Sequence, residues 1–219
     1  MSATSQTDSV TMRRRVRIVL LIYAAERAGL SPLPIMQLHT FAYLSNVLAP
    51  VWHMPVLDGK LLKRRGGPFY PMLQGDLDNL VGIGVVLISN LGHVRDEQNR
   101  WRLEGSYALN REFSDRILRQ VAQFDEERRL FGFLQELAFA LSSLSDDDLA
   151  STTTQDATYS DPIVDFGSVL DFAEWQSKNY TANAADRFER LLPGGAQANS
   201  SEKTHLYLRH LRARIHGGR

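Results

Sequence analysis

The side chains that most often carry catalysis are present in this sequence, but their spacing fits no catalytic or metal-binding pattern. Zinc ligands on a helix lie at i and i+4, whereas His205 and His210 are five positions apart and their rings would splay. His39 lies among apolar residues, as a satisfied core or rim histidine does. Ser200 and Lys203 match the spacing of a serine–lysine nucleophile, but the companion motifs are missing, so a helix cap and a solvated lysine explain them better.

Phosphate-binding and thiol chemistry are also missing from the sequence. The turn at Gly66–Pro68 lacks the Gly-Lys-Ser/Thr ending of a P-loop, and its proline removes an amide donor. Glu174 and Lys178 lie four residues apart, a spacing typical of a helical ion pair. The chain has no cysteine, which excludes thiolate zinc sites, iron–sulfur clusters and disulfides. We therefore expect no catalytic residues, no cofactor and no bound metal.

Charge is balanced overall but unevenly distributed along the chain. The 219 residues carry 25 basic and 25 acidic side chains. By region, the excess is 15 − 10 = +5 in residues 1–120, 5 − 14 = −9 in residues 121–199 and 5 − 1 = +4 in residues 200–219. A basic loop and the hairpin predicted below supply candidates for non-specific contact with nucleic acid. These candidates are Lys60, Lys63, Arg64, Arg65, Arg95, Arg100 and Arg102. A solvated or internally paired loop is the alternative.

The N-terminal region resembles a signal peptide only superficially. Arg13–Arg15 precede the apolar run Ile18–Ala25, but Glu26 follows at once and no small-residue cleavage site is present. The run is also far shorter than the ~20 apolar residues of a spanning helix. Its apolar residues recur at the spacing of an amphipathic core helix, so we expect a cytoplasmic protein.

The order of predicted elements favours a fold that is mainly α with a small β-hairpin. Residues 1–11 are predicted to be a disordered tail. Residues 12–110 are predicted to be a winged-helix domain, in which two helices, a third helix near Tyr70–Val81 and a hairpin ending at Trp101–Tyr107 follow one another. Residues 111–219 are predicted to hold a long helix reaching Leu144, a polar linker over Ser145–Asp161 and a C-terminal helical region.

The third helix has the wrong charge for reading DNA. A recognition helix needs Arg, Lys, Asn or Gln side chains to meet phosphates and base edges, but this one has no Lys or Arg. It carries Asp76 and Asp78 instead, which phosphates would repel. We therefore predict a protein-binding role, with Asp76 and Asp78 as candidate partner contacts. The long helix adds three apolar candidates, Phe131, Leu134 and Leu141.

Four stretches carry a resemblance to a known family. Gln37–Leu48, Gly67–Gln74, Asp76–Val86 and Glu202–Leu208 resemble the middle component of bacterial ABC-three-component systems, which include the Lamassu-type anti-phage defence operons. The resemblance implies a non-catalytic accessory subunit with two protein partners, an SMC/Rad50-like ATPase and an effector, often a nuclease. It also implies that the chain helps the complex to sense foreign DNA ends. We expect neither a membrane nor a small-molecule substrate among its partners. The segment Gly67–Pro71 also resembles winged-helix antitoxin-like domains, so a DNA-binding regulator or antitoxin is the alternative.

Overall fold

The fold is mostly helical, with two small antiparallel sheets of three strands each among the described residues. The computed structural model describes residues 2–56, 60–95, 99, 101–172, 179–191 and 197–217. The helices are α1 (Ser2–Arg27), α2 (Ile35–Leu48), α3 (Pro71–Gly82), α4 (Arg111–Val121), α5 (Asp125–Leu141), α6 (Asp146–Gln155), α7 (Tyr180–Arg187) and α8 (Ser200–Gly217). The strands are β1 (Leu33–Pro34), β2 (Lys60–Arg64), β3 (Gly67–Phe69), β4 (Val86–Arg95), β5 (Trp101–Leu109) and β6 (Val169–Asp171).

The N-terminal helix is longer than the sequence pattern indicates. Helix α1 begins at Ser2, so residues 2–11 are helical rather than the predicted disordered tail. These residues are polar, but they contain no proline or glycine that would end the helix. At the other end, Gly29 has a φ of 77° and donates its N–H to the carbonyl of Glu26, which closes α1.

Helices α2 and α3 and the β4–β5 hairpin lie close to their predicted positions, and β1 adds a third strand. In this first sheet β5 lies in the middle, with β1 on one side and β4 on the other. Leu33 of β1 is opposite Tyr107, and Val86 of β4 is opposite Leu109. All four side chains are buried, so one face of the sheet packs on the core.

The second sheet was not predicted. Strand β2 contains most of the expected basic loop, and it pairs with β3 and with the distant β6. Leu61 and Lys63 alternate inward along β2, while Lys60 is exposed. Residues 60–65, the basic stretch, were predicted to be a loop. Most of them form a strand instead, because the side chains of Leu61 and Lys63 pack into the core.

In the C-terminal half, the expected long helix is interrupted and the expected linker contains a helix. The expected long helix is two helices, because the chain turns at residues 122–124 before α5 starts with three acidic residues that suit a helix N-terminus. The expected linker contains α6, whose N-cap Ser145 accepts a hydrogen bond from the N–H of Asp148. The acidic run at residues 146–148 therefore marks the start of a helix rather than a linker.

The two predicted regions, 12–110 and 111–219, share one hydrophobic core. Helix α5 lies against both α1 and α8, and the buried cluster extends from Ile18 and Leu44 to Leu134 and Leu211. Among the described residues, no helix has the length and apolar composition needed to cross a membrane.

A buried carboxylate joins the helices of this core. Asp156, directly after α6, is fully buried and accepts hydrogen bonds at both oxygens. Its Oδ1 accepts from the Tyr43 hydroxyl of α2, and its Oδ2 accepts from Tyr207 of α8 at 2.7 Å and Thr181 of α7 at 2.8 Å. The N–H groups of Thr158 and Tyr159 also donate to Oδ1. Burial raises the pKa of Tyr43 and of Tyr207, so both hydroxyls keep their protons and remain donors.

His39 links α2 to the start of α3. Its Nδ1 accepts from the backbone N–H of Tyr70, and its Nε2 lies 3.3 Å from Oε1 of Gln74. The prediction of a satisfied core histidine is confirmed. Burial lowers the pKa of His39 to about 4, helped by the nearby Arg64 and opposed by the hydrogen bond to Gln74.

We expect Asp156→Asn to destabilise the protein by about 3 kcal/mol or more, because an amide NH2 cannot accept the hydroxyl donors that meet the carboxylate. Asp147→Asn, at an exposed position in the first turn of α6, is the matched control and should cost about 0.5 kcal/mol. Urea unfolding of both variants measures the difference. Equal losses of unfolding free energy in the two variants would show that the buried carboxylate contributes no more to stability than the exposed one.

We expect acid to weaken the fold through His39. Its pKa is about 6.5 in the unfolded chain and about 4 in the fold. The unfolded state therefore binds the extra proton first, and stability falls as the pH drops from 6.5 toward 4, by about 1.4 kcal/mol per pH unit at most. In His39→Asn the amide oxygen can still accept from Tyr70, but the titrating group is gone. The difference between the unfolding free energies at pH 7 and pH 4.5 should therefore be about 2–3 kcal/mol smaller in this variant than in the native chain. Equal pH dependence would contradict the assignment.

Candidate protein-binding surface

Asp76 is not available to a partner. Its carboxylate is buried and forms ion pairs with Arg14 and Arg15 of α1, with 3.0 Å between Arg15 Nε and Asp76 Oδ1. The prediction of a partner contact was wrong because Asp76 lies on the same inward face of α3 as Leu73, Leu77 and Leu80. Half of the negative charge expected on the outer face of α3 is thus neutralised inside the protein.

The fold withdraws much of an N-terminal basic cluster, Arg13–Arg15 and Arg17, from the surface. Arg14 and Arg17 are both buried, and Arg17 donates to Ser45 Oγ at 3.4 Å. Burial lowers the pKa of Arg17 to about 10, although the nearby Glu127 opposes the shift. Within residues 13–17, Arg13 is exposed and Arg15 is half-buried.

The outer face of α3 carries no Lys or Arg. It presents Met72, Asp78 and Asn79, of which Asp78 accepts a hydrogen bond from the Gln74 amide at 2.8 Å. Asp78 therefore remains a candidate partner contact, since its carboxylate is exposed. This face offers no cation for phosphate.

Lys63 is a structural residue rather than a nucleic-acid contact. Its Nζ donates to the carbonyl oxygens of Asp161 at 2.9 Å and Val164 at 2.7 Å, and it lies near the rings of Tyr159 and Phe166. The ammonium group thus attaches the segment before β6 to β2. Of the two interpretations of the basic loop, internal pairing is confirmed at this position.

The other basic candidates lie at or near the surface. Lys60 and Arg65 are exposed at the two ends of β2, and the guanidinium of the half-buried Arg64 lies 3.7 Å from the ring centre of Phe69. On the hairpin, Arg95 is exposed, whereas Arg102 is half-buried beside Glu104. The remaining candidate, Arg100, lies outside the described residues.

The hairpin exposes large apolar side chains where it extends past the core. Odd-numbered residues of β5 share one face of the sheet: Tyr107 and Leu109 are buried, but Leu103 and Trp101 are 57% and 64% exposed. Leu91 is 59% exposed and reaches the same face, because its Cδ1 lies 3.5 Å from where a Cβ of Gly105 would be. We call Leu91, Trp101 and Leu103 the wing face.

The alternating apolar residues Trp101, Leu103 and Tyr107 predict a half-buried strand, but of these three only Tyr107 is buried. The period-two pattern gave the face correctly, but it could not show that the hairpin is longer than the body beneath it. Strands β4 and β5 have ten and nine residues, a length that the sequence pattern did not reveal. Such strands exceed the usual five or six residues and project beyond a small core.

The apolar candidates on α5 have two different environments. Leu134 and Leu141 are fully buried, so their prediction as partner contacts was wrong: the apolar stripe of α5 packs on its own protein. Phe131 is half-buried and stacks on Tyr23 of α1, with ring centres 4.9 Å apart. It lines a groove of about 590 Å³ between α1, α4 and α5. Within the described part of the chain, no group of three His, Asp or Glu residues is placed to hold a metal ion.

We expect Asp76→Asn to cost about 3–5 kcal/mol of unfolding free energy, because it leaves the buried guanidinium of Arg14 without its counter-charge. Asp78→Asn, two positions away on the exposed face, should change stability by about 0.5 kcal/mol. Denaturant titration of the two variants compares the loss of unfolding free energy at the buried carboxylate with the loss at the exposed one. Similar losses would contradict the inward placement.

Comparison with known proteins identifies no relative of this chain. No protein-family model, no curated protein and no solved structure matches it. The surfaces described above are therefore the basis for inferring a function.

Proposed function

We propose that this chain is a winged-helix adaptor subunit that binds a protein partner through the wing face of its hairpin. The observation that carries the proposal is the exposure of Leu91, Trp101 and Leu103 side by side on one face of a projecting hairpin. Clustered exposed apolar side chains mark interaction sites, and tryptophan is among the residues most enriched at interface hot spots.

The arrangement of elements supports the winged-helix interpretation. Helix α1, strand β1, helices α2 and α3, and the β4–β5 hairpin follow one another, and β1 pairs with the returning strand of the hairpin. The β2–β3 hairpin is an insertion between α2 and α3. In this interpretation the hairpin is the wing, and α3 occupies the position of the recognition helix.

Protein binding fits the chemistry of this surface better than DNA reading does. The outer face of α3 has an exposed carboxylate, Asp78, and no Lys or Arg. Because Asp76 is buried, the outer face of α3 is less acidic than the sequence predicts, but it still carries no cation. The preference therefore depends on Leu91, Trp101 and Leu103, whose side chains cannot pair with phosphate. The guanidinium of Arg95 lies 4.7 Å from the ring centre of Trp101 and is a cation beside them.

The resemblance to ABC-three-component systems suggests the identity of the partners. We propose a non-catalytic subunit that bridges an SMC/Rad50-like ATPase and an effector nuclease in bacterial anti-phage defence, with the wing face on the ATPase. Lys60, Arg65 and Arg95 are exposed and would allow non-specific contact with DNA held by the complex.

Co-expression of this chain with the products of its neighbouring genes tests the proposal. We expect the chain to co-elute with a coiled-coil ATPase in gel filtration. The variant Trp101→Glu/Leu103→Glu should weaken that complex by about 30-fold or more, because two anchors of the apolar patch are replaced by charges. Ile163→Glu, which alters an exposed isoleucine outside the hairpin, is the control and should co-elute normally.

Elution of this chain without the ATPase, or a complex insensitive to the wing-face variant, would overturn the proposal. The second candidate, a DNA-binding regulator or antitoxin, is favoured by the exposed Arg95 and the half-buried Arg102 of the hairpin. It predicts sequence-specific binding to promoter DNA that is lost in Arg95→Ala and Arg102→Ala, while the wing-face variant still binds.

A further inference from the structure

The wing face has a basic border. Arg95 of β4 lies opposite Trp101 of β5, and two residues earlier on β4, His93 lies opposite the other wing-face residue of β5, Leu103. Residues opposite each other in an antiparallel sheet point to the same side. His93 and Arg95 therefore lie on the same side of the sheet as the wing face, and both are exposed.

A β-bulge adds Leu91 to this face. At the register shift in the hairpin, β4 has two residues, Asn90 and Leu91, where β5 has Gly105 alone, and Asn90 adopts a left-handed φ of 51°. Because Gly105 has no side chain, its place is taken by neighbours: a Cβ there would lie 2.8 Å from Cδ1 of Ile88 and 3.5 Å from Cδ1 of Leu91. The apolar part of the wing face thus depends on the bulge, and its basic border follows directly after it.

Arg95 is held beside the indole of Trp101. Its guanidinium carbon lies 4.7 Å from the ring centre, and its Nη1 donates to Oδ1 of Asn99 at 2.9 Å. Among the described residues, no carboxylate lies within ion-pair distance of Arg95. By contrast, Arg102 lies 4.0 Å from Glu104 on the opposite side of the sheet. The described part of the hairpin therefore offers, beside its apolar patch, a positioned cation that has a neutral amide as its hydrogen-bond partner.

We propose that the wing face binds an acidic amphipathic segment of its protein partner, with apolar side chains on the wing face and a carboxylate on Arg95. This inference rests on the proposed function, since it names the chemistry of the partner at the same surface. A guanidinium has five N–H donors, so the bond to Asn99 leaves donors for the carboxylate. The pair strengthens when the apolar contact excludes water from it. Arg95 then serves the protein contact, and Lys60 and Arg65 remain for DNA.

The surroundings of Trp101 favour a protein carboxylate over the phosphates of single-stranded nucleic acid. Bases stack on open faces of aromatic rings. Here the guanidinium of Arg95 lies against the indole, and the ring of His93 meets it edge-on, with ring centres 6.4 Å apart. The other wing-face side chains, Leu91 and Leu103, are aliphatic and offer no second ring. A row of phosphates also needs several cations, whereas this side of the described hairpin has one arginine.

The affinity of the chain for the co-expressed coiled-coil ATPase tests the ion pair. Arg95→Glu should weaken the complex by about 20-fold or more, because attraction to the carboxylate becomes repulsion, and Arg95→Gln by about five-fold. Arg116→Glu, at an exposed arginine of α4, is the matched control and should change the affinity by less than about two-fold. Raising the salt from about 0.1 M to about 0.5 M should weaken the native complex more than the Arg95→Gln complex.

The outcomes of this experiment separate the acidic contact from the proposed function. If Trp101→Glu/Leu103→Glu breaks the complex while Arg95→Glu behaves like Arg116→Glu, the acidic contact is wrong and the proposed function stands. If neither the double variant nor Arg95→Glu weakens the complex, both are wrong.

Two dyes that differ by one anionic group test the same chemistry on the chain alone. Anilinonaphthalene sulfonate carries an anion beside its rings, and phenylnaphthylamine has the same rings without the anion. Both fluoresce on exposed apolar surface. Leu91→Ser/Leu103→Ser should weaken the binding of both dyes, and the signal lost identifies the wing-face component. Arg95→Gln should weaken that component by about five-fold for the sulfonate dye and leave it unchanged for the neutral dye.

Three results of the dye titrations would overturn the proposal. The first is dye binding that is insensitive to Leu91→Ser/Leu103→Ser. The second is an equal effect of Arg95→Gln on the two dyes, because the guanidinium would then make no charge-specific contact. The third is displacement of the sulfonate dye from the wing face by oligothymidine, which would assign this face to single-stranded nucleic acid.

Discussion

The buried carboxylate of Asp156 is the constraint on which the relation between the two halves of the chain depends. It accepts from hydroxyl groups on α2, α7 and α8, three helices that are far apart in sequence. A buried charge is tolerated only when its oxygens are saturated with donors, so the three helices must meet at one place. His39 of α2 also bonds to Tyr70 and Gln74 at the start of α3, so α3 is connected to the same helices through α2.

Local signals predicted the elements well where they were strong. Pro34 is the N-cap residue of α2, Pro71 is the first residue of α3, and alternating residues mark β5. The sequence could not show pairings over long separations, such as β2 with β6 or Arg14 with Asp76, because neither partner carries a signal of the other. The error at α6 is different: three consecutive aspartates fit both a polar linker and a helix start, and only the cap at Ser145 decides between them.

The candidate site shows why counting charges along a chain does not predict its surface. Arg14, Arg17 and Lys63 are basic residues from two apparent clusters, and all three are buried with partners that the fold provides. Asp76 is lost from the outer face of α3 for the same reason. The residues that most distinguish the hairpin are uncharged, and the period-two pattern placed Trp101 and Leu103 on the inward face of a half-buried strand. Their exposure follows from strand length rather than residue type.

The edge of β4 and the wing face offer different kinds of interaction, so a partner at one need not exclude a partner at the other. The edge of β4 offers the outward backbone N–H and C=O groups of an outer strand. The wing face offers apolar side chains, whose specificity comes from the shape around Trp101.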